Sequence, residues 1–399
     1  MNTIAKAGCR IFQTGMWAAI PVLPYRKPKV LHRIADVPET LHQLGCKSVL
    51  LVTDASVHAL GITTPLENAL ADQGIDCAVY ETIANPTTDV VEGAVGLYKQ
   101  RGCSALIGFG GGSSMDTAKA VGARIANPRK SYAQMGGILR VRRRIPPLFA
   151  IPTTAGTGSE TTVAAVVIDA ETRHKYAIMD FPLIPRYAVL DPATTRTLPP
   201  SVTAATGMDA LCHAVEAYVG NSTTADTRKE ALSAVKLIFL YLENAYRNGD
   251  DMLARKQMLL ASFLAGDSFS KSYVGYVHAI AHSIGGKYDI AHGLAIAIVM
   301  PHVLEGYGEA IWKKLHELAC AAGIAGKHDS DEEAARRFIQ AIRDKNRTMG
   351  IPETFPELRR EDIPELARQA AAEANPLYPV PVIWDAKQLE RFYYAVMDE

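Results

Sequence analysis

Aspartate and histidine side chains at helical spacing are the residues of this sequence best suited to chemistry. Asp209 and His213 lie four residues apart in GMDALCHAVEAY, and His278 and His282 do the same in GYVHAIAHSIGG. Residues four apart share one face of a helix. His292 follows after a glycine-containing turn. We therefore expect helices of the C-terminal half to present one carboxylate together with several imidazoles.

Metal binding is the chemistry that this residue set predicts. The surrounding sequence is rich in alanine and other apolar residues, and burial of imidazoles there is costly unless they have partners. One carboxylate with neutral imidazoles suits Fe²⁺ or Zn²⁺ better than Mg²⁺ or Ca²⁺, which prefer oxygen ligands. Spacing alone pairs His278 with His282 and leaves the role of His292 open. For any single histidine, a hydrogen-bonded core or surface position is the alternative.

A glycine-rich turn in the N-terminal half has the composition of a phosphate-binding loop. Residues 110–114 read GGGSS and lie between a predicted strand, Ala105–Gly108, and a predicted helix, Met115–Ala126. Glycine lets the backbone approach a pyrophosphate, and the first amides of a helix can donate to it. The turn lacks the GxGxxG spacing of the common dinucleotide fingerprint, so an ordinary strand-to-helix turn is the alternative.

A second loop, residues 152–160, combines small hydroxyl residues with glycines and follows the predicted strand Leu148–Ile151. Its hydroxyl and amide groups could bind a ribose, phosphate or carboxamide. Because both loops follow strands, we expect them on the ligand-binding edge of an open α/β sheet. Asp54 follows the predicted strand Ser48–Thr53, where a carboxylate can accept the ribose hydroxyls of NAD. A helix N-cap is the alternative for this residue.

The elements that must position these residues change character near residue 197. Between residues 47 and 195, short β-branched runs alternate with helical patterns, which is typical of βαβ units and a parallel sheet. Beyond that point the hydrophobic period is near 3.6, and predicted helices continue almost to the C-terminus. The sequence therefore predicts an α/β domain over residues 1–197 and an all-helical domain over residues 198–399.

Local signals set several element boundaries. Further strands are predicted at Cys77–Tyr80 and Ala164–Ile168. A helix is predicted over Pro65–Gln73, because Thr64 can cap it and Glu67 would complete a capping box.

The N-terminal segment is basic, with no acidic residue before Asp36. An apolar stretch, Met16–Leu23, lies between its basic groups, which is also a feature of targeting segments. Because Pro21 and Pro24 would break a helix, we expect an ordinary N-terminal strand or arm.

Composition excludes several classes of protein. The chain has 399 residues, 48% hydrophobic and 21% charged, as in packed globular proteins and unlike disordered or collagenous ones. Lys plus Arg and Asp plus Glu both number 42, so net charge favours neither nucleic acid nor an acidic membrane as partner. Six scattered cysteines without a CxxC pair, and the lack of a membrane-spanning apolar run, favour a soluble cytoplasmic protein.

The sequence closely resembles the iron-containing (group III) alcohol dehydrogenase family. The motifs that carry the likeness are GFGGGSSMDTAKA at 108–120, IPTTAGTGSE at 151–160, GMDALCHAVEAYV at 207–219 and GYVHAIAHSIGGKYDIAHG at 275–293. The likeness extends from about residue 45 to the C-terminus. It implies an α/β dinucleotide-binding domain followed by an all-α metal-binding domain, as in the dehydroquinate synthase-like fold, and a homodimer or larger assembly.

The metal ligands that the resemblance implies are Asp209, His213, His278 and His292, holding Fe²⁺ or, as an alternative, Zn²⁺. This assignment replaces the pairing of His278 with His282 that spacing alone favours. His282 then lies beside the substrate and the nicotinamide without binding the metal. We expect it to carry the released proton towards solvent.

The resemblance also implies a set of NAD-binding residues, which are Asp54, Gly111, Gly112, Ser113, Thr153, Thr154, Thr157 and Lys175. The glycines and the serine would hold the pyrophosphate, and the threonines would line the adenine and nicotinamide side. Lys175 would reach the cofactor ribose, and Asp54 would favour NAD over NADP.

The reaction that the resemblance implies is NAD(H)-linked oxidation of a small alcohol or diol, or reduction of the corresponding aldehyde. The metal would lower the pKa of the alcohol, and hydride would pass to the nicotinamide. One alternative is a reductase of a carboxylated substrate such as maleylacetate. Another is a cyclising lyase that uses metal and NAD. The apolar sequence around the implied ligands argues against the lyase, because a polyanionic substrate needs a cationic clamp.

A basic run, RVRRR at residues 140–144, allows a non-enzymatic interpretation in which it and the basic N-terminus contact nucleic acid. The net charge of zero and the lack of interleaved aromatic residues argue against that interpretation. A solvated loop is the simpler expectation for the run, with an anion site as the alternative.

Overall fold

The structure is a computed structural model that describes residues 1, 3–172 and 174–398. It divides into two compact units, an α/β unit formed by residues 24–197 and a helical unit formed by residues 1–23 and 198–399. The predicted fold class is confirmed.

The strands are β1 (Lys29–Leu31), β2 (Ser48–Asp54), β3 (Asp76–Thr82), β4 (Ala105–Gly110), β5 (Gly137–Ile138), β6 (Leu148–Pro152), β7 (Ala164–Ile168), β8 (Lys175–Met179) and β9 (Tyr187–Val189). The α-helices are α1 (Thr3–Ala19), α2 (Val37–Gln43), α3 (Ala55–Ala59), α4 (Thr64–Asp72), α5 (Thr88–Gln100), α6 (Gly112–Ala126), α7 (Tyr132–Met135), α8 (Pro200–Val219), α9 (Ala225–Arg247), α10 (Met252–Ser272), α11 (Tyr276–Tyr288), α12 (His292–Tyr307), α13 (Trp312–Ala321), α14 (Asp331–Thr348), α15 (Ile363–Ala374) and α16 (Ala386–Ala395).

Six parallel strands form the main sheet of the α/β unit, in the order β1-β9-β6-β4-β2-β3. Its central strands are apolar: β4 is buried throughout, and β2 is buried between its end residues. Such runs are typical of parallel sheets covered by helices on both faces. The four strands predicted before residue 152 are confirmed with slightly longer bounds, whereas sequence patterns do not predict β1 and β9, which are only three residues long.

The predicted strand Ala164–Ile168 is present as β7, but it does not join the main sheet. It belongs to a second sheet of order β5-β8-β7, in which β7 pairs antiparallel with β8. The main sheet therefore continues from β6 directly to β9.

The carboxyl ends of three neighbouring strands meet at one edge of the main sheet. Asp54, Gly110 and Pro152 are the last residues of β2, β4 and β6. Strand β3 lies at one edge of the sheet, beside β2. The chain then crosses over β2 and forms β4 on the opposite side of β2. Ligands of open α/β sheets bind outside such a switch of strand order, and both loops predicted from the sequence begin there.

Helix α4 begins slightly earlier than the predicted helix Pro65–Gln73, and the predicted capping box at Thr64 is wrong. The N-cap is Thr63, a buried residue whose hydroxyl donates to the Glu67 carboxylate at 2.6 Å. Pro65 is accommodated within the first two helical positions, where its missing amide has no intrahelical partner to lose.

Helix α8 is the central element of the helical unit. Every residue from Gly207 to Val219 is buried, and the helix contacts α9, α10 and α12. Polar side chains in this part of α8 therefore need partners inside the protein. The prediction that helices continue from about residue 198 almost to the C-terminus is confirmed. Within the described residues, no helix combines the length and the apolar character needed to cross a membrane.

The N-terminus is a helix, although a strand or arm was expected. Helix α1 ends at Ala19, two residues before Pro21, so the prolines end a helix rather than prevent one. Most of its large apolar side chains, including Ile4 and Ile11, are exposed.

Polar side chains on the inner face of α1 attach it to the helical unit. Arg10 donates to the carbonyls of Val380 and Pro381 at 2.6 and 2.7 Å, and Gln13 donates to the carbonyl of Tyr378 at 2.7 Å. Because these bonds join the first 23 residues to the C-terminal region, the expected N-terminal domain of residues 1–197 is wrong at its N-terminal end.

Candidate active site

Four side chains from three helices converge inside the helical unit. Asp209 and His213 lie one turn apart on α8, His278 lies in the first turn of α11, and His292 is the first residue of α12. Asp209 Oδ1 lies 3.7 Å from His213 Nδ1, 3.8 Å from His278 Nε2 and 3.4 Å from His292 Nε2. The structure thus brings together the four residues that the resemblance implies as metal ligands. We call them the acid–imidazole cluster.

Three buried polar atoms of this cluster lack a hydrogen-bond partner among the described residues. They are Asp209 Oδ1, His213 Nδ1 and His278 Nε2. Leaving a buried polar atom unpaired costs about 1–3 kcal/mol. A divalent cation between these atoms would satisfy all of them, and carboxylate plus imidazole is a donor set of Fe²⁺ and Zn²⁺. The residues present therefore fit a transition-metal ion.

Burial and mutual contact set the protonation states of the cluster. Burial lowers the pKa of His213 to about 3 and holds the pKa of His278 well below its usual range. Burial alone would raise the pKa of Asp209, but the imidazoles of His213 and His292 outweigh this effect and lower it. Near neutral pH, Asp209 is therefore a carboxylate while His213 and His278 are neutral, which is the state that binds a metal.

Glu216 supports the cluster, although it was not predicted as a site residue. Its carboxylate accepts a hydrogen bond from His278 Nδ1 at 2.6 Å and from the amides of Gly275 and Val277 at 2.7 and 2.8 Å. When Nδ1 donates to a carboxylate, the other ring nitrogen is left as a lone pair, and His278 Nε2 faces Asp209. The signal in the sequence was spacing, because Glu216 follows Asp209 by seven residues on the same helix face.

His282 lies beside the cluster but bonds to a different carboxylate. Its ring centroid is 5.1 Å from that of His292, and its Nδ1 lies 2.6 Å from Glu373 Oε1. That oxygen also accepts the Tyr378 hydroxyl at 2.7 Å. The side chains of His282 and Glu373 are 39% and 35% exposed. Spacing alone favours His282 as the partner of His278, whereas the structure places His292 against Asp209.

Two loops lie side by side at the carboxyl edge of the main sheet. We call residues 110–114 the glycine loop and residues 152–160 the threonine loop. The Thr153 amide donates to the Gly110 carbonyl at 2.9 Å, which joins them. Gly110 has φ of +152°, and a Cβ there would collide with the Ser114 side chain. Only glycine therefore fits this turn.

The predicted pyrophosphate-binding residues begin helix α6. Gly111 is its N-cap, followed by Gly112 and Ser113, so their amides belong to the first turn, which has no intrahelical acceptors. A Cβ on Gly112 would lie 3.3 Å from Thr157 Cγ2, and one on Gly111 would lie 3.9 Å from Thr154. The glycines thus keep open the space between the two loops, which suits a phosphate group approaching the amides.

Asp54 caps helix α3 and also faces the glycine loop. Its Oδ1 accepts the Val57 amide at 2.9 Å and the Ser56 hydroxyl at 2.5 Å, so the structure shows the N-cap that was the alternative for this residue. Its Oδ2 lies 3.3 Å from the position of a Cβ on Gly110. One carboxylate oxygen therefore faces the predicted dinucleotide site.

A buried lysine that was not predicted as a functional residue holds the threonine loop against α6. Lys119 Nζ donates to Ser159 Oγ at 2.9 Å, Thr162 Oγ1 at 2.7 Å and the Ala164 carbonyl at 2.9 Å. Asp116, one turn earlier, accepts the Ser159 hydroxyl at 2.8 Å. Lys119 is fully buried, and burial lowers its pKa to about 8. Two charged residues in the otherwise apolar helix MDTAKAVGA were the available signal.

Lys175 is the first residue of β8, and its side chain is exposed. Burial raises the pKa of Asp116, and the charges of Lys119 and, more weakly, Lys175 oppose that rise. The Lys175 ammonium therefore lies within electrostatic reach of the helix that begins at the glycine loop.

Comparison with known proteins covers nearly the whole chain. The profile of the family described as "Iron-containing alcohol dehydrogenase" matches residues 31–192, and that of "Fe-containing alcohol dehydrogenase family, C-terminal" matches residues 203–397. The chain belongs to the iron-containing alcohol dehydrogenase family. It is accordingly an alcohol oxidoreductase.

Known members are similar to this alcohol dehydrogenase over most of their length. The NAD-dependent methanol dehydrogenase of Bacillus methanolicus is 38% identical over 340 residues, which is 84% of this chain and 89% of that protein. The 1,3-propanediol dehydrogenase of Klebsiella pneumoniae is 35% identical over 347 residues, with 86% and 89% coverage. A crystal structure of 1,3-propanediol oxidoreductase superimposes with a TM-score of 0.90 at 32% identity, covering 94% of this chain and 99% of that one.

The site residues of this alcohol dehydrogenase lie inside the matched segments. The acid–imidazole cluster falls within the C-terminal match, and both loops fall within the N-terminal one. Residues 1–30, which include helix α1, precede the matched segments.

Proposed function

We propose that this family member catalyses NAD-linked oxidation of a small alcohol or diol, and reduction of the corresponding aldehyde, with a divalent metal ion. The observation that carries the proposal is the acid–imidazole cluster. Three of its buried atoms that could bind a metal lie close together and have no hydrogen-bond partner among the described residues. The relatives named for methanol and 1,3-propanediol support a small hydroxyl-bearing substrate.

Asp209, His213, His278 and His292 would hold the metal. When bound, Fe²⁺ or Zn²⁺ supplies a Lewis acid that polarises the substrate oxygen and lowers the pKa of the hydroxyl group. Asp209 contributes the one negative charge of this set, and Glu216 fixes the orientation of His278 through Nδ1. The family's description supports iron, and Zn²⁺ is the alternative.

The glycine and threonine loops would hold the dinucleotide, which accepts the hydride when bound. Gly111, Gly112 and Ser113 offer amides at the N-terminus of α6, where the helix dipole favours a pyrophosphate. The hydroxyl groups of the threonine loop, at residues 153, 154 and 157, would line the adenine and nicotinamide side.

Two charged side chains would set the preference for NAD. The Asp54 Oδ2 atom that faces Gly110 would accept ribose hydroxyls and repel the additional phosphate of NADP. Lys175, within electrostatic reach of α6, would contact the cofactor ribose.

His282 and Glu373 would move the proton that alcohol oxidation releases. The hydrogen bond between His282 Nδ1 and Glu373 Oε1 leaves His282 Nε2 available to accept a proton. Because both side chains are about one third exposed, this pair can pass the proton to water.

The first experiment is to remove metal, reload the protein separately with Fe²⁺ and Zn²⁺, and follow nicotinamide absorbance with NAD or NADP. Substrates are methanol, 1,3-propanediol, lactaldehyde and a carboxylated aldehyde. We expect one metal to restore turnover, with NAD preferred and the short alcohols or diols turned over. Absence of hydride transfer with either metal, although NAD binds, would refute the proposal. Preference for the carboxylated aldehyde would support the carboxylated-substrate alternative.

The role of His282 is tested by His282→Ala, read by metal content as well as by rate. We expect the variant to keep its metal and its NAD affinity while kcat falls about 10²-fold or more, because general acid–base catalysis contributes about 10² to 10⁴. Loss of the metal would instead make His282 a ligand.

A further inference from the structure

A cavity lies at the edge of the main sheet that is opposite the glycine and threonine loops. Its volume is about 520 Å³. Lys29, the first residue of β1, Leu148, the first residue of β6, and Arg186, which precedes β9, all line it. Because the strands are parallel, this is their amino-terminal edge, whereas Asp54 and Gly110 end strands at the carboxyl edge. The cavity is therefore separate from the predicted dinucleotide site.

Cationic and apolar side chains line this cavity in equal number. The cationic residues are Arg26, Lys27, Lys29, Arg144 and Arg186, and the apolar ones are Ile145, Pro146, Pro147, Leu148 and Pro182. None of the described residues that line it is acidic or aromatic. The chain as a whole carries equal numbers of acidic and basic residues, so this concentration of charge is local.

Three of these cations, Arg26, Arg144 and Arg186, interact unfavourably with one another. Arg26 donates a hydrogen bond to the Ile184 carbonyl, which fixes its guanidinium at the cavity. Burial lowers the pKa of Arg26, and the charges of Arg186 and Arg144 lower it further. Like charges held together in this way destabilise a folded protein unless an anion neutralises them.

Two sequence features that the active site does not use meet at this cavity. Arg26 and Lys29 come from the basic N-terminal segment, and Arg144 ends the RVRRR run more than a hundred residues later. Arg186 comes from a third segment. The fold thus collects cations from distant parts of the sequence around one concave surface.

Size and chemistry define the ligand class. A cavity of this volume falls in the range of small-molecule sites, about 300–1,000 Å³, and is larger than one phosphate needs. Arginine and lysine are the side chains that bind phosphate groups. Without an aromatic side chain in the described lining, the cavity has no stacking platform for single-stranded nucleic acid. We propose that it binds an organic polyphosphate, with the phosphates on the cationic side chains and the carbon portion on the proline-rich surface.

The test is isothermal titration calorimetry of the metal-loaded protein, saturated with NADH so that the dinucleotide site is filled. ATP and inorganic tripolyphosphate are the probes, at about 0.15 M ionic strength, where surface charges are screened beyond about 8 Å. The test variant is Arg144→Ala with Arg186→Ala. The matched control is Arg129→Ala with Arg143→Ala, which removes the same charge from the lining of a neighbouring cavity.

We expect ATP to bind more tightly than tripolyphosphate, the test variant to bind ATP about tenfold more weakly or worse, and the control variant to bind within twofold of the wild type. Lack of ATP binding to the wild type would refute the proposal, as would equal weakening in both variants. Equal affinity for the two probes would refute the role of the proline-rich surface. Tighter binding of an oligonucleotide, weakened by both variants, would replace the proposal with an extended nucleic-acid surface.

Folding of the test variant is checked separately. Because the substitutions remove repulsion, its thermal midpoint without ligand should equal or exceed that of the wild type. The variant Arg144→Lys with Arg186→Lys keeps both charges and should retain ATP binding. Loss of binding in this lysine variant would contradict a site built on charge.

Discussion

The acid–imidazole cluster and the dinucleotide loops are built from different parts of the polypeptide. The cluster consists of side chains that carry their own chemistry, one carboxylate and several imidazoles on buried helices. The loops consist largely of backbone amides, glycines and small hydroxyl groups at strand ends. The cluster therefore depends on the identity of its side chains, whereas the loops depend on the conformation of the backbone.

This difference determines what supports each site. Glu216 supports the cluster by bonding directly to the imidazole of His278. The threonine loop is supported by the buried Lys119 and the partly buried Asp116, which both bond to Ser159. We therefore expect substitutions in the cluster to affect metal content first, and substitutions beneath the loop to affect folding stability first.

The largest effect is expected for Asp209→Asn. It removes the one negative charge of the cluster, and a neutral amide is a weak metal ligand, so metal content should fall below about one tenth of the wild-type value. Loss of a Lewis acid worth several kcal/mol corresponds to a decrease in kcat/KM of about 10³-fold. Metal content is measured by mass spectrometry of the purified protein.

The matched control for this change is Asp331→Asn. Asp331 bonds to His316 at 2.7 Å in an exposed acid–imidazole pair of the same unit. This variant should keep the metal and the activity. Wild-type metal content in Asp209→Asn would show that the cluster is not the metal site.

On the loop side of the comparison, Lys119→Met should reduce the free energy of unfolding by about 3–5 kcal/mol. The substitution leaves the partly buried Asp116 without its cation and leaves three acceptors without their donor. Guanidinium unfolding measures the change. Adding Asp116→Asn should restore part of the stability, because the uncompensated charge is then removed. If Lys119→Met unfolds at the same guanidinium midpoint as the wild type, Lys119 does not have this supporting role.

A side chain of the threonine loop makes the stability of the folded protein depend on pH. Glu160 is 1% exposed, its Oε1 has no hydrogen-bond partner among the described residues, and burial raises its pKa from 4.5 to about 7. Between these values the folded protein binds more protons at this group than the unfolded chain. The stability that Glu160 contributes is therefore present below pH 4.5 and lost as the pH rises towards 7.

Glu160→Gln should remove this loss. The change that it makes in the free energy of unfolding should be more favourable at pH 8 than at pH 4.5 by roughly 3 kcal/mol, because each pKa unit corresponds to 1.36 kcal/mol. Guanidinium unfolding at pH 4.5 and pH 8 measures the difference. Glu171→Gln, at an exposed position of the same unit, should leave the pH dependence unchanged. An unaltered pH dependence in Glu160→Gln would mean that burial does not raise the pKa of Glu160 in the folded protein.

Sequence could predict residues whose types carry the chemistry more readily than residues that act through burial. Spacing placed Asp209 and His213 together, and the resemblance supplied His292, which lies on a separate helix that periodicity cannot align with α8. Glu216 and Lys119 were missed because their importance arises from contacts across the fold. Helix α1 was missed because Pro21 and Pro24 were expected to break a helix, whereas the helix ends at Ala19, before both prolines. Its attachment through Arg10 and Gln13, which bond to backbone carbonyls, leaves no mark on the hydrophobic pattern.

The smallest expected effect gives the sharpest test of how the cluster is supported. Glu216 and Glu373 each bond to the Nδ1 atom of a histidine at 2.6 Å, but only His278 turns its other nitrogen towards Asp209. Glu216→Gln weakens the acceptor that orients a ligand, and such substitutions reduce metal affinity about 10- to 100-fold. Glu373→Gln makes the same chemical change beside His282 and should leave metal affinity within twofold of the wild type while reducing kcat. Metal competition with a chromophoric chelator measures both affinities. Equal losses of metal affinity in the two variants would place His282 among the ligands and make the i, i+4 histidine pair part of the metal site.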